Sequence, residues 1–348
     1  MSKAAELAAL IGSQTALSNR NLIINGAMQV AQRGTSSTGS SYQTVDRFFY
    51  SASSLDNHAL TQTQQAVTDL AGFSNSWRIT TTTAESAIAA DELVYVAQKI
   101  EAQNLQQLAY GTSSAKQVTL SFYVKSSVTG TFSTNLYQVD DNRIVNSEYT
   151  ISSANTWERK EITYAADQTG VIDNNNGAGF YVTWNLALGS NRKGNAASAW
   201  ETQNTDNWGG AGTYTDAVIT TVNATWEITG VQLEIGDVAT PFEHEDFGTT
   251  LRKCRRYYQY ITGTTYYGGF HAYTGSTSIY VQLIPSMRAA PTVTNYNVRN
   301  GSSGATASNQ AANYGAIDGF NAPIDGSGGA DTNISHINQA YLEASAEL

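Results

Sequence analysis

The chain has 348 residues, a net charge of −10 and only 14% charged residues, against roughly 25% in an average soluble domain. Such a balance repels phosphate backbones and anionic lipid, and excludes a nucleic-acid binder that lacks a strongly segregated basic patch. One cysteine, Cys254, excludes an intrachain disulfide, and no stretch reaches the roughly twenty apolar residues of a membrane span.

Met1-Ser-Lys-Ala-Ala-Glu6 has no apolar core or cleavage site, which predicts no secretory signal. Residues 3–18 are predicted as a short helix. Leu7, Leu10, Ile11 and Leu17 form one stripe, and in heptad terms Leu7, Leu10 and Leu17 take core positions with Gln14 as a polar layer. A helix of this length barely exceeds the roughly 12 to 15 residues below which helices are marginal alone, so it needs partners or its own domain to pack on.

From residue 21 to about 245 the pattern is a succession of strands. Val118, Leu120, Phe122 and Val124 alternate with Thr119, Ser121, Tyr123 and Lys125; Phe180, Val182, Trp184 and Leu186 alternate with Tyr181, Thr183 and Asn185. These are half-buried antiparallel strands. Residues 46–50, 77–79, 94–100, 132–137 and 161–164 add more, and 20 Tyr with only 4 Pro favour strands joined by Gly and Asn turns. Long insertions are expected at 166–179 and 189–215. A linking helix is predicted at 249–259 with Thr249 or Thr250 as N-cap. A smaller β domain follows, with strands at 278–284 and 292–298, and with surface loops and short edge strands over the Gly-, Ser- and Asn-rich residues 299–332.

Hydrolysis of a polysaccharide would need facing carboxylates. Asp140, Asp141, Asp206, Glu243, Glu245 and Asp246 are the acidic candidates, and none sits in a motif tied to that task. The four histidines are dispersed and no Gly-x-Ser-x-Gly elbow is present, so the chain is expected not to be an enzyme. No cofactor is expected. Asp173-Asn-Asn-Asn-Gly177 offers oxygen ligands in a spacing like that of calcium loops but lacks the following Glu; a turn accounts for it, with a structural calcium as the alternative. Aromatic faces stack on sugar rings while amides and hydroxyls take sugar hydroxyls. Trp200, Asn204, Asp206, Trp208 and Tyr214 are one candidate glycan-binding set, and the aromatics Tyr266, Tyr267, Phe270 and Tyr273 a second. Core or interface packing is the competing reading for both.

Asn21-Leu-Ile-Ile-Asn-Gly-Ala-Met-Gln-Val-Ala-Gln-Arg-Gly34 and the run Val231-Gln-Leu-Glu-Ile-Gly-Asp237 through Pro241-Phe-Glu-His-Glu-Asp246 into Leu251–Tyr260 resemble the opening and closing strands of a jelly-roll module in tail-fibre and other virion proteins of tailed phages. Residues 283–293 and 340–348 are similar to C-terminal fibre domains of the same proteins. The resemblance implies an all-β protein: an N-terminal attachment or oligomerisation helix (1–20), a jelly-roll β-sandwich like carbohydrate-binding modules (21–246), a linking helix (247–260) and a C-terminal β domain (261–348). It implies a homotrimer made in the bacterial cytoplasm and carried in the virion, docked to other virion proteins through its N-terminus and attaching to a host-surface glycan or protein receptor. Neither nucleic-acid binding nor membrane insertion is expected. The alternatives are a non-receptor virion protein (head fibre, decoration or tail nozzle component) and, third, a glycan depolymerase.

Overall fold

The computed structural model describes residues 19–195, 199–263, 277–300, 313–317, 319–324 and 337–348. The chain divides after Thr250 into two compact units. The predicted N-terminal helix, with Leu7, Leu10, Ile11 and Leu17, lies outside the described residues.

The first unit holds β1 (Ser36–Ser37), β2 (Phe48–Ser53), β3 (Ala59–Ala66), β4 (Asn75–Thr83), β5 (Leu93–Glu101), β6 (Val118–Ser126), β7 (Gly130–Gln138), β8 (Arg143–Ile151), β9 (Glu158–Tyr164), β10 (Ala178–Leu188), β11 (Lys193–Asn195), β12 (Glu201–Thr202), β13 (Gly209–Gly210) and β14 (Thr225–Ile235). They form two six-stranded antiparallel sheets, ordered β1-β3-β4-β14-β6-β9 and β12-β8-β7-β10-β5-β2. The chain passes repeatedly from one sheet to the other, giving an all-β jelly-roll sandwich. Strand β11 pairs with β13 in parallel beside it.

Period-two alternation explains which face each strand buries. Val118, Leu120, Phe122 and Val124 of β6 face Phe180, Val182, Trp184 and Leu186 of β10 through one apolar core, with Trp77, Trp184 and Trp226 fully buried. Strand β14 obeys the rule only in halves. Trp226 and Ile228 point inward; then a register shift between Thr229 and Gln232, with Gly230 at φ +60°, reverses parity so that Val231 and Leu233 are buried.

The N-terminal segment seals onto this strand. Leu22 N donates to Leu233 O at 2.8 Å, Leu233 N to Asn21 Oδ1 at 3.1 Å, and Val231 N to Gly26 O at 3.0 Å. Glu243 accepts from the backbone N–H groups of Asn19 and Asn21 at 2.8 and 3.0 Å. The two segments that stand out in the sequence are therefore hydrogen-bonded neighbours, although more than 200 positions separate them.

The linking helix runs Phe247–Arg255, which corrects both its expected span and its cap. Asp246 starts it, accepting from Thr249 N at 2.9 Å, as a carboxylate at an N-cap does; Thr250 is buried instead. The helix closes in turns donated by Arg256 N and Tyr257 N, after which the aromatic run enters a strand. The second unit contains β15 (Tyr258–Gly263), β16 (Thr277–Gln282), β17 (Thr292–Asn300), β18 (Asn313–Ala316), β19 (Gly319–Ile324) and β20 (Ile337–Ser345). They make two three-stranded sheets, β15-β20-β17 and β16-β19-β18. Strand β19 falls in the stretch expected to hold only loops and edge strands, yet it is paired on both sides.

Candidate functional site

Residues of β2, β5, β7 and β10 that alternate away from the core build the site. Tyr181 on β10 lies opposite Lys99 on β5 and Tyr137 on β7, and Thr183 lies opposite Ala97 and Asn135. On β2, Phe49 lies opposite Ala97. Register thus gathers aromatics from four strands onto the outer face of the second sheet. Tyr137 meets Tyr181 edge-on at 5.5 Å, Phe49 meets Tyr181 and Tyr95 at 6.5 and 6.1 Å, and Tyr42 lies 4.8 Å from Phe49. The Lys99 ammonium sits 4.6 Å over the Tyr181 ring and 5.1 Å over Phe49, a cation–π arrangement that holds both rings in place. Burial pushes the hydroxyls of Tyr95, Tyr137 and Tyr181 above the usual phenol range. They stay neutral near pH 7 and both donate and accept hydrogen bonds.

Trp208 completes the face from the 189–215 insertion. Its ring stacks on Tyr95 at 5.4 Å with a 16° tilt and touches Tyr137 at 5.8 Å. The backbone beneath is held by side-chain amides: Asn135 Nδ2 and Asn185 Nδ2 donate to Trp208 O at 2.8 and 3.0 Å, and Asn146 Nδ2 to Asn207 O at 3.0 Å.

Of the other residues of the first predicted set, Tyr214 lies on the same face beside outward Glu148 but outside the ring cluster, and Trp200 does not join the face. Trp200 turns toward the core. It stacks on Phe180 at 6.2 Å, meets Tyr110 edge-on at 5.7 Å and donates through Nε1 to Ala165 O at 2.7 Å. Asn204 and Asp206 form a turn in which Asp206 N donates to Asn204 Oδ1 and Asn204 N to Asn207 Oδ1. The Tyr214 hydroxyl reaches Glu148 Oε1 at 3.1 Å; burial, followed by the Glu148 carboxylate, drives its pKa well above the normal value. Tyr266, Tyr267, Phe270 and Tyr273 lie outside the described residues. Tyr42, Phe49, Tyr95, Tyr137 and Tyr181 were not singled out from the sequence. For the four on strands the signal was there: large aromatics at the outward parity; Tyr42 stands before β2 and carried none.

Of the acidic candidates, Asp140, Asp141, Glu243, Glu245 and Asp246 accept local hydrogen bonds. Asp140 Oδ2 accepts from Asp173 N at 3.0 Å and Asp141 Oδ2 from Val171 N at 2.6 Å, while burial raises the Asp140 carboxyl above its ordinary range. In the Asp173–Gly177 turn, Asn175 Oδ1 accepts from Gly177 N, and Asn175 O and Gly177 O accept from the backbone at Gln103 and Ala102. Among the described residues no group of three or more His, Cys, Asp or Glu is placed to hold a metal ion. Because the turn spends its own oxygens in closing, treatment with EDTA is expected to leave the melting temperature unchanged. A fall of several degrees in a calorimetric scan would reveal a bound cation.

No protein-family model matches the chain, and no curated protein sequence matches it. Among solved structures it is similar to the enzymatically active domain of tailspike protein 4 of bacteriophage CBA120, at 14% identity over 62% of this chain and 22% of that one, TM-score 0.33. The match therefore spans about a fifth of the length of that tailspike domain. A CBM4 structure matches at 12% identity over 61% of this chain and 98% of that one, TM-score 0.32. The tripod of the bacteriophage Tuc2009 baseplate matches at 10% identity over 65% and 58%, TM-score 0.28.

Proposed function

We propose that this protein is a non-catalytic component of a tailed-phage virion, a tail fibre or equivalent appendage, that attaches the particle to its host by binding a cell-surface glycan. The reading includes a homotrimer docked to the virion through the N-terminal segment. What carries it is the outer face of the second sheet, where Tyr42, Phe49, Tyr95, Trp208, Tyr137 and Tyr181 form one continuous chain of ring contacts. Flat rings with neutral hydroxyls suit the C–H faces and hydroxyl edges of sugars. The phage-fibre character of the segments at 21–34 and 231–260 supports the virion part of the proposal, and the local engagement of Asp140, Asp141 and Glu243 supports the absence of catalysis.

The test is binding of the purified protein to a panel of bacterial surface oligosaccharides. Tyr181→Ala and Tyr137→Ala are each expected to weaken binding about tenfold, equivalent to about 1.4 kcal/mol. Wild-type affinity in both variants would remove the face as the receptor site. Failure of the wild type to bind any glycan, with normal incorporation into particles, would move the protein to a purely structural place in the virion. Shortened chains after incubation with host exopolysaccharide would make it a depolymerase.

A further inference from the structure

Beside the aromatic rings, the same outer face carries a row of polar residues that solvent does not reach. Ser133 and Asn135 of β7, Asn146 of β8, and Thr183 and Asn185 of β10 are each no more than 2% exposed. Outward positions of a surface sheet are normally wet. Here the cover is the turn at Asn207–Gly210 with the Trp208 ring. Tyr95 and Tyr137, which both touch that ring, have Asn185 and Tyr181 as their Cα partners on β10. A ring that reaches both crosses β10 above the intervening residue, Thr183.

The amide orientations in this row are forced. The groups facing Asn135, Asn146 and Asn185 across the turn are carbonyls, Trp208 O and Asn207 O, which can only accept. Each amide nitrogen must therefore face the turn and each amide oxygen points away. The three Oδ1 atoms have no donor, and neither does the Thr183 hydroxyl oxygen, although all four are buried. Buried acceptors of this kind are normally paired. The covering turn is tethered at its ends, where Glu201 and Thr202 pair with β8 and Thr215 N donates to Thr131 O at 2.9 Å. Between these tethers stand Gly209 and Gly210, whose two-residue pairing with β11 must part when the segment lifts, and Gly212; glycines let a backbone change conformation cheaply.

We propose that this amide row is a second, latent sugar subsite continuous with the aromatic face, uncovered when the Gln203–Gly212 segment lifts Trp208 off Tyr95 and Tyr137. The inference rests on the glycan reading above. Its ligand is a neutral hexose unit of a longer oligosaccharide. With the turn lifted, the three amides present the Nδ2 donors that held Trp208 O and Asn207 O together with their Oδ1 acceptors, and Thr183 a hydroxyl that does both, a mixed set that matches uncharged sugar hydroxyls. Trp208 then acts both as cover in the free protein and as a stacking surface in the complex.

Two measurements test it, the first on the unaltered protein. Amide hydrogen exchange at Asn207–Gly210 is expected to be much faster than in β7 and β10, and to change when a bound oligosaccharide is added. Protection equal to that of the sheet, unaltered by ligand, would overturn the inference. In the second, Thr183→Val removes only a hydroxyl that lacks a partner, so its melting temperature is expected to stay level or rise. Its affinity for a long oligosaccharide should fall about fivefold, the loss of a modest hydrogen bond, with little change for a disaccharide that fills only the aromatic face. If Thr183→Val binds the long ligand like wild type while Tyr181→Ala still weakens it, the latent subsite is wrong and the glycan face stands. If the wild type binds no glycan at all, both fall.

Discussion

Trp200→Ala is expected to destabilise the first unit by about 3 kcal/mol, the lower end of the range for deleting a packed Trp side chain. In a domain of this size that corresponds to a fall of about 6–12 °C in melting temperature. The ring closes one margin of the core: it stacks on Phe180, abuts Tyr110 and anchors its indole N–H on Ala165 O. Its own carbonyl accepts from Arg143 Nη2 at 3.2 Å, and Arg143 Nε in turn pairs with Asp167, which is only 2% exposed. Deleting the ring therefore loosens an ion pair that depends on exclusion of water. Glycan affinity, measured below the melting transition, should stay within twofold of wild type. Thermal scans by circular dichroism check the first part, and an unchanged melting temperature would mean that the indole does not pack where it is placed.

A second large loss is expected from the smallest change of side chain. Gly26→Ala should cost about 3 kcal/mol, the upper end of what overpacking usually does, because a Cβ at residue 26 would lie 2.1 Å from Val231 O. The obstructing atom is backbone of β14, the central strand linking β4 and β6, so it has no rotamer through which to yield. To admit the methyl, the N-terminal segment must move off β14. That would stretch the Val231 N to Gly26 O bond and its neighbours at Asn21 and Leu22. Chemical denaturation should show a lower midpoint with an unchanged slope; a midpoint equal to wild type would refute the close approach.

These two sites also mark how far the sequence could be read. Strands β6 and β10 were legible because the inward positions 118–124 of one and 180–186 of the other are all apolar, so alternation alone assigns inside and outside. Strand β14 was legible only from Val231 onward, since the bulge at Gly230 breaks the alternation that Trp226 and Ile228 begin. Both anchoring segments of the jelly roll were visible as motifs, but their hydrogen bonds to each other were not, because nothing local encodes contact across 200 residues. The site suffered from the same limit. Trp200 and Trp208 look alike in a Gly- and Asn-rich insertion, yet one folds back into the core and the other lies across an outer sheet. The decisive rings, Tyr95, Tyr137 and Tyr181, each occupy an outward strand position, and only lateral register brings them together. Asp246 rather than Thr249 caps the linking helix because it stands directly before Phe247, the first helical residue, where its Oδ1 reaches the Thr249 N–H.

The placement of β14 has a consequence for biogenesis. It is the last strand of the sandwich to be synthesised, and it alone joins β1-β3-β4 to β6-β9. Until residue 235 has left the ribosome, the nascent polypeptide carries two half-sheets with open hydrogen-bonding edges and an uncovered apolar interior. Exposed strands of that kind template association with other chains. Fragments ending before that point are therefore expected to aggregate where the whole first domain stays dispersed.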